Sequence, residues 1–245
     1  MSDQLGCERQ NNFTSSIADA DDTQAITKIL FRMTIAFGFT AATFMVMPAR
    51  TDKMIADLIL ETMLHRRFFE LFDEIGGAEN SLLFEMLRKT ILPISWSLDE
   101  FRERYHNLGR GLPLLFDLLA DHGLTMGLAI PLTTIDGSRH IIRYDGNRKP
   151  LSRDEVNELT MLSMHAFEAY DRVRSSQNGY NSMLTAREME VVRWTAAGKT
   201  SAEIGVIMDL SDHTINAYMN NAFKKFNCVN RSQLVAKALR MRMIS

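Results

Sequence analysis

The chain has 245 residues, 46% hydrophobic and 24% charged, enough to bury a core and to form one domain of ordinary size with a smaller one. No run approaches the about 18 apolar residues of a membrane span, and the opening MSDQLGCERQNN lacks the basic flank and apolar centre of a signal peptide, so a cytoplasmic protein with no membrane partner is expected. The net charge of −2 hides an asymmetry: residues 183–245 hold nine Lys or Arg against five Asp or Glu, a balance of +4, which leaves −6 on residues 1–182. A basic tail on an acidic body suits a polyanion at one end only.

In chain order, Asp21–Ala36 has helical periodicity. Phe37–Pro48, FGFTAATFMVMP, reads as a strand, although its unbroken apolar character also suits a buried helix. Met54–Glu74 and Leu112–Asp121 are expected to be helices. Leu128–Tyr144 alternates around Asp136-Gly137 and predicts a hairpin. Ser152–Arg174 reads as one long amphipathic helix that opens with Ser152 and Glu155 in capping-box relation. The polar run SSQNGYNS, 175–182, is the expected linker between domains 1–174 and 183–245. Interleaved strands and helices predict an α/β body of two or three layers.

The tail is expected to be all helical. Leu184–Ala197 opens on Thr185 and Glu188, and Gly198 ends it; a second helix runs from about Thr200 to Met208, with Gly205 small enough for a close crossing. After the turn DLSDHT, Ile215, Met219, Ala222 and Phe226 form a buried stripe, which leaves His213, Asn216, Ala217, Asn220 and Lys224 on the open face. That is the pattern of a helix-turn-helix whose second helix enters the major groove of double-stranded DNA. An Asn pairs bidentately with adenine, and Lys224, Lys225 and Arg231 are placed to meet phosphate. The bland alternative is that Asn216 and Asn220 only solvate a helix face, and for Asn221 that reading wins.

Leu184, Thr185, Arg187, Glu188, Val191, Val192, Trp194, Gly198–Thr200, Glu203, Ile204, Ser211, Thr214, Ile215, Asn230 and Arg231 together resemble the LuxR-type, or GerE-type, DNA-binding domain. The resemblance implies a tetrahelical domain that binds DNA as a dimer, with Arg231–Arg240 supplying much of the dimer contact. Ser201, His213, Thr214, Asn216, Asn220, Lys224, Lys225 and Arg231 are the candidate DNA-contacting residues. Asn216 stands where the family usually has Lys or Arg, and Tyr218 where it has His, so the operator preference does not carry over.

Upstream, a phospho-acceptor receiver is excluded because ADADD, 18–22, precedes a helix and FMVMPAR ends without an Asp. PISWS, 93–97, and HGLTMGLAIPL, 122–132, resemble instead the autoinducer-binding domain of quorum-sensing LuxR-type regulators. That resemblance implies an α-β-α sandwich with a pocket between sheet and helices, able to hold an acyl-homoserine lactone. Phe68, Phe72, Ser81, Trp96 and Gly127 take pocket positions. Where the family has an Asp-Pro pair whose carboxylate accepts the ligand amide N–H, this chain has Ser81-Leu82, and Phe68 and Phe72 replace the Trp and Tyr that face the lactone ring. A buried amide without its acceptor costs about 1–3 kcal/mol. A standard lactone is therefore expected to bind weakly, and core packing outweighs ligand contact for Phe68, Phe72 and Trp96.

The expectation is thus a LuxR-type regulator with an altered sensor, answering another small molecule or working as a homodimer or heterodimer with a related regulator, as the similar VisN and VisR motility regulators do. A lactone receptor with shifted contacts is the alternative, and an interaction protein whose helix-turn-helix serves pairing is a third. An enzyme built on His122, Asp121, Asp136 and Asp145 lacks any supporting nucleophile, metal or phosphate motif. Cys7 and Cys228 have no second Cys or His at metal spacing, so no metal, disulfide or cofactor is expected.

Overall fold

The structure, a computed structural model, describes residues 2–105, 111–134, 137–177, 184–240 and 243–244. The chain divides into two compact units, the first of residues up to 134 with 139–174, the second formed mainly by the residues from 175 onward.

The first unit opens with α1 (Ser2–Ala18) and α2 (Thr23–Ala36), the latter capped by Asp22, whose carboxylate accepts the Ala25 N–H at 2.6 Å. β1 (Ala41–Val46), β2 (Ile59–Thr62), a run of helices α3 (Arg66–Glu74), α4 (Gly77–Asn80) and α5 (Leu82–Leu87), β3 (Ile94–Ser97), α6 (Leu98–Tyr105), α7 (Gly111–Asp121), the hairpin β4 (Met126–Thr133) and β5 (Arg139–Gly146), and the long α8 (Arg153–Gln177) follow. The strands form one sheet in the order β2-β1-β5-β4-β3, each pair antiparallel. Alternation sorts the side chains. Phe44, Leu128, Ile142 and Tyr144 pack with α1, α2 and α8, while Ala41, Met45, Ala129 and Ile141 face α3, α5 and α7. The result is the α-β-α sandwich. Because helices cover both faces, β1 and β5 are buried nearly throughout, which is why Ala41–Val46 reads as an unbroken apolar run and not as an alternating one.

Two polar ties fix the layers. The Tyr144 hydroxyl meets Ser163 Oγ at 2.8 Å, and that hydroxyl reaches Leu159 O at 2.7 Å; the guanidinium of Arg9 on α1 donates through Nε to Glu158 on α8 at 2.9 Å. The Ser152–Glu155 capping box opens α8, which extends through Gln177 into the expected linker.

The expected helix over Met54–Glu74 is broken in the structure. Ala56–Leu58 makes one 3-10 turn and Ile59–Thr62 pairs with β1, with Thr43 Oγ1 and Thr62 Oγ1 3.0 Å apart; only Arg66–Glu74 is α-helical. Apolar residues at near-helical spacing become an edge strand here because sheet pairing overrides local propensity. Phe37 and Gly38, expected in a strand, instead end α2, with Gly38 at φ 74°. The hairpin spans more residues than its sequence signal, and Asp136 of its expected turn lies outside the described residues.

In the second unit α9 (Ala186–Ala196), α10 (Ser201–Met208), α11 (Asp212–Lys225) and α12 (Arg231–Arg240) surround a core of Val191, Val192, Ile204, Ile215, Met219, Phe226 and Leu234. Capping boxes open α9, through Thr185 and Glu188, and α10, through Thr200 and Glu203, and Ser211 Oγ accepts the Thr214 N–H at 3.2 Å to open α11. Gly198 stands at φ 81° beyond α9. A Cβ on Gly205 would come 2.7 Å from Leu210 O. The turn between α10 and α11, and not a helix crossing, requires that glycine. Among the described residues no helix is long and apolar enough to cross a membrane, and no group of His, Cys, Asp or Glu is placed to hold a metal ion.

Candidate functional site

Between the sheet and α3–α7 lies a narrow cavity of about 20 Å³, little more than one ordered water needs. Phe72, Ser81 and Trp96 line it with Phe101, Leu115 and Arg143. Phe68 packs in the core beside Phe69 and Phe72, its ring edge-on to His122, and does not reach the cavity wall. Gly127 sits opposite Trp96 in the β3–β4 pairing. A Cβ there would meet Trp96 Nε1 at 2.4 Å, Asp145 Oδ1 at 2.6 Å and Tyr144 O at 2.6 Å, so glycine is what lets the indole lie across β4 toward the carboxylate. Trp96 also stacks on Phe101 at 5.8 Å. Ser81 takes the Phe84 N–H at 3.3 Å and caps α5.

The charged groups here are ones that motif reading passes over. Arg143 and Asp145 lie on β5 two residues apart, thus on one face, and Arg143 donates to Asp145 Oδ1 at 3.1 Å. The residues are 7% and 1% exposed. Burial pushes the Asp145 carboxyl up from its ordinary range, while the Arg143 guanidinium and the nearby indole N–H of Trp96 pull it back. The guanidinium carbon lies 6.0 Å from the centre of the Trp96 ring. A signal existed in sequence: in HIIRYDG, Arg and Asp at i and i+2 put opposite charges on one buried strand face. Asp145 therefore lies in a central strand and is far too enclosed to join an acid–base set. His122 Nδ1 lies 2.8 Å from Leu118 O at the end of α7, a helix-end contact.

In the second unit α11 turns His213, Asn216, Ala217, Asn220 and Lys224 outward, each exposed, with Asn216, Asn220 and Lys224 in one i, i+4, i+8 row. The Ser201 hydroxyl, at the start of α10, donates to Asn216 Oδ1 at 2.8 Å and so ties the two helices of the motif. Thr214 Oγ1 pairs with Ser211 Oγ at 2.9 Å. Lys225 turns inward: its Nζ lies 2.6 Å from Oε2 of Glu188, a carboxylate that is itself buried. Arg231 donates to Lys199 O at 3.3 Å and Thr195 Oγ1 at 3.5 Å, which joins α12 to the α9–α10 loop.

Residues 22–170 match the autoinducer binding domain and residues 182–238 the luxR family of bacterial regulatory proteins. The chain belongs to the LuxR family. It is 29% identical over 244 residues to the HTH-type quorum sensing-dependent transcriptional regulator RpaR of Rhodopseudomonas palustris, covering 99% of this chain and 97% of that one. It is 30% identical over 163 residues to the transcriptional activator AhyR of Aeromonas hydrophila, an alignment that spans 62% of the activator's length. The structure of SdiA in complex with octanoyl-rac-glycerol superposes with a TM-score of 0.75 at 18% identity, over 97% of this chain and 96% of that one. Escherichia coli SdiA in the space group P6522 gives 0.71 at 19%, over 96% and 98%. These LuxR-family relatives are regulators and not enzymes, and the likeness to SdiA shows the fold.

Proposed function

We propose that this LuxR-family chain is a ligand-responsive transcriptional regulator, which binds double-stranded DNA through α10 and α11 and a small molecule in the cavity of the first unit. The observation that carries the reading is the outward row Asn216, Asn220 and Lys224 on the second helix of a helix-turn-helix, with Asn216 held by Ser201. Asn216 and Asn220 are assigned to base edges, and His213, Lys224 and the half-buried Arg231 to the backbone or flanking bases. Domains 1–174 and 183–245 divide the work, and the DNA-bound form is a homodimer or a heterodimer with a related regulator, as expected for paired half-sites. The test is the affinity of the full chain for duplex DNA against salt: each phosphate neutralised contributes about 0.9 to the slope of log K on log salt, and a flat line rejects the reading.

The ligand is inferred not to be a standard acyl-homoserine lactone, because Ser81 offers no carboxylate to an amide N–H. A protein whose sensor answers a different molecule, or a partner in motility control of the VisN and VisR kind, fits that departure. A lactone receptor with shifted contacts is the second reading. It is favoured by the full-length similarity to a regulator named as quorum sensing-dependent. N-octanoyl-homoserine lactone at micromolar level separates the two: a rise of several degrees in melting temperature supports the second reading, and an unmoved transition the first.

A further inference from the structure

The polar groups on the cavity wall are few. Among the described lining residues they are Ser81, Trp96 and Arg143. Ser81 Oγ takes the Phe84 N–H, which leaves its O–H to donate and a single lone pair to accept. Arg143 uses one terminal nitrogen on Asp145, while its Nε is buried with no hydrogen-bond partner, and the Trp96 indole N–H is turned toward the Asp145 carboxylate. Asp145 does not line the cavity; it stands behind the guanidinium with its Oδ1 engaged. The wall therefore offers the Arg143 guanidinium and one hydroxyl, and no carboxylate. A stranded buried donor such as Arg143 Nε is costly, and an acceptor supplied by a ligand would relieve it. Since the charges of Arg143 and Asp145 cancel, an anionic ligand would leave a net negative charge in an enclosed site, whereas a neutral carbonyl would not.

We propose that Arg143 is a specificity-determining residue of this pocket and selects neutral acyl esters, whose polar end only accepts hydrogen bonds, over acyl amides, which must also place an N–H against the wall. The inference rests on the reading of the first unit as a ligand sensor. It accounts jointly for three features of this chain: the carboxylate missing at Ser81, the charge pair on β5, and the glycine at 127 that lets Trp96 and Asp145 approach each other. Asp145 acts through Arg143, as a positioning residue that holds the guanidinium against the cavity.

The matched probes are ethyl octanoate and N-ethyloctanamide, which differ by an oxygen against an N–H, with octanoate as the anion. In the full chain carrying Trp194→Phe, Trp96 is the only tryptophan, and its fluorescence reads the pocket directly. The expected order is ester over amide by about tenfold, with octanoate weakest. Ser81→Asp, which keeps a good cap for α5, should reverse the order of ester and amide by supplying an acceptor. Arg143→Met alone leaves Asp145 unpaired and endangers folding, so the double variant Arg143→Met/Asp145→Asn is the informative one; it should melt cooperatively and bind ester and amide alike. An amide that binds as tightly as the ester, octanoate as the tightest probe, or a double variant that keeps the ester preference overturns the inference while leaving a sensor in place. Silence from all three probes, in fluorescence and in melting, overturns the inference and leaves the sensor reading to be decided by the homoserine-lactone titration.

Discussion

Two neighbouring lysines at the end of α11 show how much a residue's role depends on where its side chain goes. Lys224 is exposed and Lys225 lies on the buried Glu188 carboxylate. Lys224→Ala should weaken specific and random DNA alike and lower the salt slope by about one unit, because phosphate carries no sequence. Lys225→Met should leave that slope nearly unchanged and cost about 1–3 kcal/mol of folding stability, because it strips a buried carboxylate of its partner. The pH dependence separates these further. Burial alone would raise Glu188, but the Lys225 ammonium and the Thr185 N–H and hydroxyl more than offset it, so the folded carboxyl titrates below its ordinary range. The stability this lends is complete above the ordinary carboxylate range and is lost as pH falls through the lowered folded value. Chemical denaturation against pH should thus show an acid limb that flattens in Lys225→Met. A parallel acid limb in both proteins would remove the pair from the account. At the base-reading positions, Asn216→Ala should cost about 1–3 kcal/mol on a selected site and little on random DNA; Ser201→Ala, which only frees the amide to rotate, should cost less.

At the scale of elements, β4 depends on Gly127. An alanine there would drive a methyl group to 2.6 Å from the Tyr144 carbonyl, part of the backbone of the adjacent strand, which cannot swing aside as a side chain would. Gly127→Ala should destabilise the first unit by about 1–3 kcal/mol, the usual range for overpacking, and shift the emission of Trp96. A melting temperature equal to the parent's would show that the backbone of β5 gives way there. This close approach was not legible in the sequence, where Gly127 is only one position of a resembling segment. What was legible had local causes. The capping boxes at Ser152 and Thr185 and the α11 stripe depend on residues three or four apart, and the structure forms them as read. The edge strand β2 was not legible because its partner is β1, and nothing within Met54–Glu74 announces that pairing. Arg143 and Asp145 fall between the two cases. Their alternation is local, but their enclosure by Trp96, Phe101 and the helices around the cavity is a property of the assembled sandwich.

At the scale of the whole molecule, two compact units with separate cores must be energetically coupled if one of them is to regulate the other. An acyl chain would enter the narrow cavity beside Arg143 by parting its walls, and binding would then select or create a different conformation of the first unit. Regulation requires that this change alter DNA affinity, and thermodynamic linkage then fixes a second quantity without further assumption. If ethyl octanoate changes the affinity of the full chain for its operator by some factor, the operator must change the affinity for ethyl octanoate by the same factor, and couplings of about 1–3 kcal/mol correspond to about 5- to 150-fold. Both affinities can be measured on one sample, the first by titrating DNA with and without ester, the second through Trp96 in the Trp194→Phe chain with and without DNA. Equal factors within that range are the expected outcome. In Arg143→Met/Asp145→Asn the two factors should shrink together for the ester, since a ligand shifts an equilibrium only by its differential affinity for the two states. An ester that binds and leaves DNA affinity unchanged would mean that the first unit holds a molecule without reporting it, and the sensing role would then have to be given up even with the pocket chemistry intact.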